Sequence, residues 1–240
     1  DAVFYKEIYT YEDWQTIEVG TYQNYRLMAD IDFGGLELDP IVPSAVFSYN
    51  ASTVDETTDK SFSGTFDGNG HTLSNFVIKK DETQLTSGLF GAVSGTVKHL
   101  GVENASFDNN GEYDGRFGGI CGLLVTGGTI ENCYIINSNI NTVSKIAGAV
   151  CGANYGGTVI NCYEMNNTVT GNSRIGNLIG DNKNDSGALV GTAKNCYSDT
   201  KVVGTNGGNT ESCAVKTAAQ FASDVCYYLN NGVTDGTQIW

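Results

Sequence analysis

Two prolines and two histidines in 240 residues are the first scarcities to read. Few prolines suit long hydrogen-bonded ladders, because a proline cannot donate to a ladder. Two histidines, with no close Cys-x-x-Cys pair, leave little from which to build a zinc site. Basic residues are also scarce, 13 against 27 acidic ones for a net charge of −14. That balance argues against a nucleic-acid backbone or an anionic membrane surface as partner, since both reward clustered cations. No apolar run is long enough to span a bilayer, so membrane insertion is not expected. No leader sequence is recognisable either, and the first residue is expected to follow either a processing site or a boundary at which the piece was cut.

What the sequence does hold is repetition. Gly88-Leu89-Phe90-Gly91 leads to Gly95-Thr96-Val97-Lys98-His99-Leu100, and Gly119-Ile120-Cys121-Gly122 leads to Gly128-Thr129-Ile130-Glu131-Asn132-Cys133-Tyr134. Ala149-Val150-Cys151-Gly152 leads to Gly157-Thr158-Val159-Ile160-Asn161-Cys162-Tyr163, and Asn177-Leu178-Ile179-Gly180 to Gly191-Thr192-Ala193-Lys194-Asn195-Cys196-Tyr197. Leu100, Cys133, Cys162 and Cys196 are 33, 29 and 34 residues apart. Such a period means stacked units that bury their apolar faces against one another. The units are rich in Gly, Thr, Asn, Val and Ile and alternate in short runs, which signals strands rather than helices. Propeller blades would need four antiparallel strands each, more than these repeats can hold. The expected fold is all-β: a right-handed parallel β-helix (solenoid) of five or six coils.

The flanks differ from the repeats. Residues 1–41 are expected to form an N-terminal cap with a short helix near Tyr11–Ile17 and a first strand, in which Leu27, Ala29, Ile31 and Phe33 face inward and Asp30 and Asp32 outward. Residues 45–60 read as a protruding polar loop, 62–213 as coils, and 217–231 as a C-terminal capping helix over the open end. That helix has Thr217 as N-cap, Phe221, Val225, Tyr228 and Leu229 on one stripe, and Gly232 after its end. The whole reads as one monomeric domain, a module of a longer protein.

Phe62-x-Gly-x-Phe66-Asp67-Gly68-Asn69-Gly70-His71-Thr72-Leu73, followed by Gly88-Leu-Phe-Gly91 and the repeated Gly-Thr-Ile-x-Asn-Cys-Tyr, resembles bacterial surface proteins that carry GLUG motifs. Asn24 to Phe33 is similar to the first strand of the same group, and the resemblance runs from about residue 8 to the C-terminus. It implies a β-helix in secreted or wall-anchored proteins, including regions beside the catalytic part of IgA-cleaving metallopeptidases. The His-Glu-x-x-His motif of those peptidases is absent here, so the resemblance does not carry their activity over. Cys where large apolar residues are common, and the insertion Lys183-Asn184-Asp185-Ser186, depart from the pattern.

Seven cysteines would ordinarily suggest disulfides, but here they repeat. Cys133, Cys162 and Cys196 share one position, and Cys121 and Cys151 another, so they read as reduced inward ladders at the ~4.8 Å strand spacing. Asn132, Asn161 and Asn195, grouped with Asn75, read as corner ladders that tolerate left-handed backbone. Tyr134, Tyr163 and Tyr197 each follow a ladder cysteine, so alternation places them outward in a column roughly 10 Å long. The column either stabilises neighbouring coils by stacking or offers aromatic faces to a glycan or a host or surface protein.

Alternation from Cys162 points Glu164 inward; a strand ending at Tyr163 is the expected resolution, a buried partner the other. Asp30 and Asp32, Asp67, and the loop acids Asp108, Glu112 and Asp114 form no acid pair repeated across coils, and Arg116 has no evident acid-catalyst partner. Asp181-Asn-Lys-Asn-Asp185 mimics a calcium loop, but Lys183 falls where an oxygen ligand belongs. His71 and His99 read as turn or surface residues. No catalytic residue, metal or cofactor is expected. The leading function is a non-catalytic extracellular module, a stalk or an adhesion surface. The alternative is a polysaccharide lyase or glycoside hydrolase of β-helix type, its acids gathered between loops 45–60 and 107–116.

Overall fold

The computed structural model describes residues 3–18, 23–42, 49–50, 53–54, 61–79, 85–109, 115–143, 146–184, 186–223 and 229–230. Within them the chain winds into a parallel β-helix. A complete coil supplies five short strands, for example Thr129–Glu131, Tyr134–Ile136, Asn139–Thr142, Ile146–Gly148 and Cys151–Tyr155. Numbered in that order, the five strands of successive coils stack into five faces. Ile130 on the first face, for instance, lies between Val97 and Val159. The fourth and fifth faces hold four strands each while the first runs to eight. Among the described residues four coils therefore carry all five faces, fewer than the five or six expected from the repeats; beyond them the fifth face continues as single bridges, Ile41 and Phe62 to Phe90 and Val93 at one end and Val203 to Ile179 at the other.

Each strand is short because each corner is built to turn. His99, Asn132, Asn161 and Asn195 mark the first corner at φ of 51–53°, in the left-handed region. Asparagine enters this region more readily than most side chains because its amide can bond locally. Asn75 does not belong with them: it stands at the second corner, φ 56°, in line with Asn104, Asn137 and Asn166. The fourth strand runs back across the outside of the fifth, backbone against backbone. A Cβ at Gly122 would lie 2.7 Å from the Ser87 amide nitrogen, and one at Gly152 2.6 Å from that of Phe117. The last glycine of the second and third of these motifs is thus required by close approach.

Two details fix the register along the axis. Where the first face ends, Arg26, Asp67, Lys98 and Glu131 stack with alternating sign, and after Ile160 the alternation resumes with Lys194 and Glu211. A one-coil slip among the first four of these rungs would bring like charges together. Inside, β-branched and aromatic side chains fill the lumen, and the six described cysteines are all free thiols.

At the N-terminal end helix α1 (Tyr11–Trp14) is held by a reciprocal capping box between Thr10 and Asp13. It sets Trp14 edge-on to Phe33 (5.7 Å) and Phe66 (5.9 Å), closing the lumen. Leu27, Ile31 and Phe33 are buried and Asp30 and Asp32 exposed, as alternation requires, with Ala29 half-buried. At the other end, helix α2 (Ala218–Ser223) begins with a second reciprocal cap: the Gln220 amide donates to Thr217 Oγ1 and the Thr217 amide to Gln220 Oε1. Val225, Tyr228 and Gly232 lie outside the described residues. Of the loop at 45–60, a two-residue antiparallel pairing of Tyr49–Asn50 with Thr53–Val54 is described.

Candidate functional site: the tyrosine flank

The second face places Tyr134, Tyr163 and Tyr197 in register on three successive coils, each directed away from the lumen. Of the two expected forms of the column, it is the stacked one that the rings take. Tyr134 and Tyr163 stack face to face, 5.2 Å apart with planes 10° from parallel. Beneath Tyr134 the rung is Gly101, whose absent Cβ would lie 2.5 Å from the ring. Phe221 of α2 packs against Tyr163 at 5.9 Å. Tyr197 is only 5% exposed, covered together with Leu229, and Lys216 lies 5.4 Å over its ring. The closure has a simple physical cause. Rings stacked along the axis turn their faces toward one another, and the C-terminal segment lies on what remains. A sugar stacks on an aromatic face, and here those faces are occupied.

Two of the hydroxyls are likewise engaged. Tyr134 Oη donates to Glu103 at 2.9 Å and lies 3.1 Å from Thr72 Oγ1; burial, with the Glu103 carboxylate, raises its pKa. Tyr197 Oη donates to Asn195 Oδ1 at 2.5 Å. The neighbouring corner carries an amide chain: Asn161 Nδ2 to Asn132 Oδ1 (3.0 Å), Asn195 Nδ2 to Asn161 Oδ1 (2.8 Å), and Asn195 Nδ2 on to the Leu229 carbonyl (3.0 Å). Directly inward, the Cys133, Cys162 and Cys196 thiols each donate to the carbonyl two residues back at 3.2 Å. All three are fully buried, and burial pushes the Cys162 and Cys196 thiols well above their ordinary pKa.

Glu164 corrects a second expectation. The strand does not stop at Tyr163 but runs Tyr163–Met165, and Glu164 points into the lumen with no exposed surface. Its partners are Ser198 Oγ, one coil along, at 2.5 Å and Asn167 Nδ2 at 2.9 Å. Burial lifts its carboxyl to about 7, against the lowering effect of those two bonds.

The remaining acids are held by near neighbours. Asp30 accepts from the Thr72 amide (2.9 Å) and pairs with His71 (3.1 Å), which lower its pKa. Asp32 accepts from the Gly34 amide at 2.8 Å, also lowering it. Burial pushes Asp67 up, yet His99, the Asn69 amide, Lys98 and Arg26 hold it below its usual value. Asp181, fully buried, is bound by Arg174 at 2.8 Å, and Asn182 Nδ2 donates to the Gly207 and Asn209 carbonyls, both at 3.0 Å. The calcium-like spacing thus serves an ion pair and an amide ladder. Arg116 lies 5.4 Å over the ring of Tyr155, whose hydroxyl burial pushes up to about 12. Glu112, Asp114 and Asp185 lie outside the described residues, as does most of the loop at 45–60.

The second-corner ladder of Asn104, Asn137 and Asn166 was not anticipated, although its signal is in the sequence. His99, Asn132 and Asn161 are each followed five residues later by an asparagine.

No protein-family model matches the chain. Among curated proteins it is similar to Halomucin of Haloquadratum walsbyi, 29% identical over 149 residues, which is 60% of this chain and 2% of that protein. The chain therefore matches a small fraction of that relative's length. Among solved structures, a crystal structure from Bacteroides ovatus described as a "putative immunoglobulin A1 protease" aligns over 98% of this chain and 91% of that one, at 16% identity and a TM-score of 0.42. That likeness is too slight to carry an argument about this chain.

Proposed function

We propose that the chain is a non-catalytic β-helix module of a secreted or cell-surface protein, acting as a stalk. The observation that carries this reading is the use of the repeated side chains. Tyr134 stacks on Tyr163, Asn161 donates to Asn132 and Asn195 to Asn161, and the Cys133, Cys162 and Cys196 thiols point at the Val97, Ile130 and Val159 carbonyls of the preceding coil at 3.7, 3.7 and 3.5 Å. These positions hold coil to coil, which is what a load-bearing rod needs. The match to a short stretch of the much longer Halomucin supports a module embedded in a large chain.

Single-molecule stretching tests it. A stalk resists and then gives way by coils; 29 to 34 residues per coil correspond to steps of about 100–120 Å of chain. Extension at negligible force with no such steps would overturn the reading, as would release of products from any polysaccharide in a panel. The adhesive use of the tyrosine face is tested with a glycan array and the triple variant Tyr134→Ala, Tyr163→Ala, Tyr197→Ala. The stalk reading expects no glycan whose binding depends on these rings.

A further inference from the structure

Cys213 ends the inward thiol column at the C-terminal side. Tyr197 pairs with Ala214 on the last two rungs of the second face, which sets Cys196 beside Cys213 just as the earlier rungs set Cys133 beside Cys162 and Cys162 beside Cys196. Neighbouring rungs lie about 4.8 Å apart, inside the Cα separation of about 4.4–6.8 Å that a disulfide spans. The Cys213 thiol repeats the ladder pattern, 3.4 Å from the Ala193 carbonyl of the preceding coil and 3.4 Å from the Glu211 carbonyl two residues back.

Access separates this pair from the others. Cys133, Cys162 and Cys196 are fully buried, as are Cys121 and Cys151, whereas Cys213 is half-exposed. Residues 209–212 before it are exposed, and strands Asn209–Glu211 and Ala214–Val215 end their sheets, each paired on one side only. Nearby, Val202 and Val203 are only partly buried against the core. A small reagent can therefore reach Cys213, its side chain can turn at the loss of weak S–H bonds, and the last rung can shift to close the remaining gap. The inner thiols are held by packed neighbours on both sides and have none of these freedoms.

We propose that Cys196 and Cys213 form a redox site, which a low-molecular-weight disulfide closes into a cystine that fastens the last coil to the one before it. The Cys213 sulfur attacks one sulfur of the reagent, whose S–S bond breaks and releases one thiolate, while the Cys213 proton goes to solvent. The Cys196 sulfur then attacks Cys213 of the mixed disulfide, loses its own proton and expels the second thiolate. The pair gives up two electrons and two protons, and the reagent is reduced to two thiols. The adjacent Cys196 thiol, and burial, raise the Cys213 pKa, so the first step is slow at neutral pH and quickens as pH rises. The site goes beyond the stalk reading and rests on it only for an oxidising, extracellular location.

The test is incubation of the whole chain with oxidised glutathione at pH 8, blocking of the remaining thiols, and tryptic mapping without reductant. Peptides 195–201 and 202–216 each carry one cysteine of the pair, and Cys226 falls in a third. The first two are expected as one linked species, two hydrogens lighter than their sum, with Cys133 and Cys162 blocked only after unfolding. Amide exchange of Asn209–Glu211 should slow by about tenfold or more on closure and recover with dithiothreitol. Cys196→Ser should stop the reaction at the glutathione adduct of Cys213, and Cys213→Ser should leave Cys196 unmodified. Wild type that stays reduced, stops at the adduct, or links Cys213 to Cys226 overturns the proposal. So does oxidation of Cys196 in Cys213→Ser at the wild-type rate. The stalk is judged separately, by the stretching experiment.

Discussion

Around Phe66 the lumen is packed with rings: Phe62 and Phe66 lie 5.2 and 5.4 Å from Phe90, and Phe76 lies 5.6 Å from Phe33 and 5.7 Å from Phe107. Further along the same stacks the filling thins and becomes polar. On the first face Phe66 gives way to Val97, Ile130, Val159 and Ala193; on the second, Leu73, Val102 and Ile135 are followed by Glu164 and Ser198. As the interior weakens, the exterior fastenings multiply. The amide chain, the stacked tyrosines and helix α2 all lie on the later coils. One repeat pattern can therefore be held by area removed from water at one end and by directional bonds at the other.

Substitutions can break this comparison in order of size. Phe66→Ala leaves a cavity where three rings meet and should cost about 3–5 kcal/mol, while Val159→Ala, on the same stack, should cost less than half of that, both measured by urea denaturation.

Next comes Glu164, whose effect depends on pH. Its carboxyl rises from 4.5 in the unfolded chain to about 7 when folded, so the folded state favours the protonated form. Its contribution is fully present below pH 4.5, is lost as pH rises through 7, and the loss amounts to at most about 3 kcal/mol. Glu164→Gln, which keeps the shape and an amide donor, should flatten that dependence and be more stable than wild type at pH 8. Denaturation midpoints at pH 5 and 8 decide it.

Phe221→Ala uncovers Tyr163 and should cost about 1–2 kcal/mol, with faster amide exchange confined to the last coils. Asn161→Ala loses its amide bonds and strains a left-handed corner, for about 1–2 kcal/mol. Asn161→Gly removes the strain but not the lost bonds, and so should recover part of it. Smallest is Lys194→Ala, which breaks an exposed pair with Glu211 and should change stability by less than about 0.5 kcal/mol.

Much of the fold was legible because it rests on local, repeated chemistry. The inward cysteines follow from alternation, the corner asparagines from their left-handed tolerance, and the motif glycines from their spacing. What could not be read came from elsewhere in the chain. Tyr197 has the sequence signature of an exposed residue, and it is covered by Leu229, more than thirty positions later. Glu164 was assigned a strand end because its partner Ser198 sits one coil away, at a repeat position with no acidic signature. Residues 11–17 also meet residues 37–41 across a cleft at the N-terminal end, and no spacing rule links those segments.

The most direct test of the difference between the two ends is hydrogen exchange followed coil by coil in native conditions. Amides of the first face should open in sequence from the C-terminal side, Thr192–Lys194 before Thr158–Ile160, with Thr65–Asp67 and Thr96–Lys98 last. Uniform protection along the stack, or opening that begins at Thr65–Asp67, would contradict it.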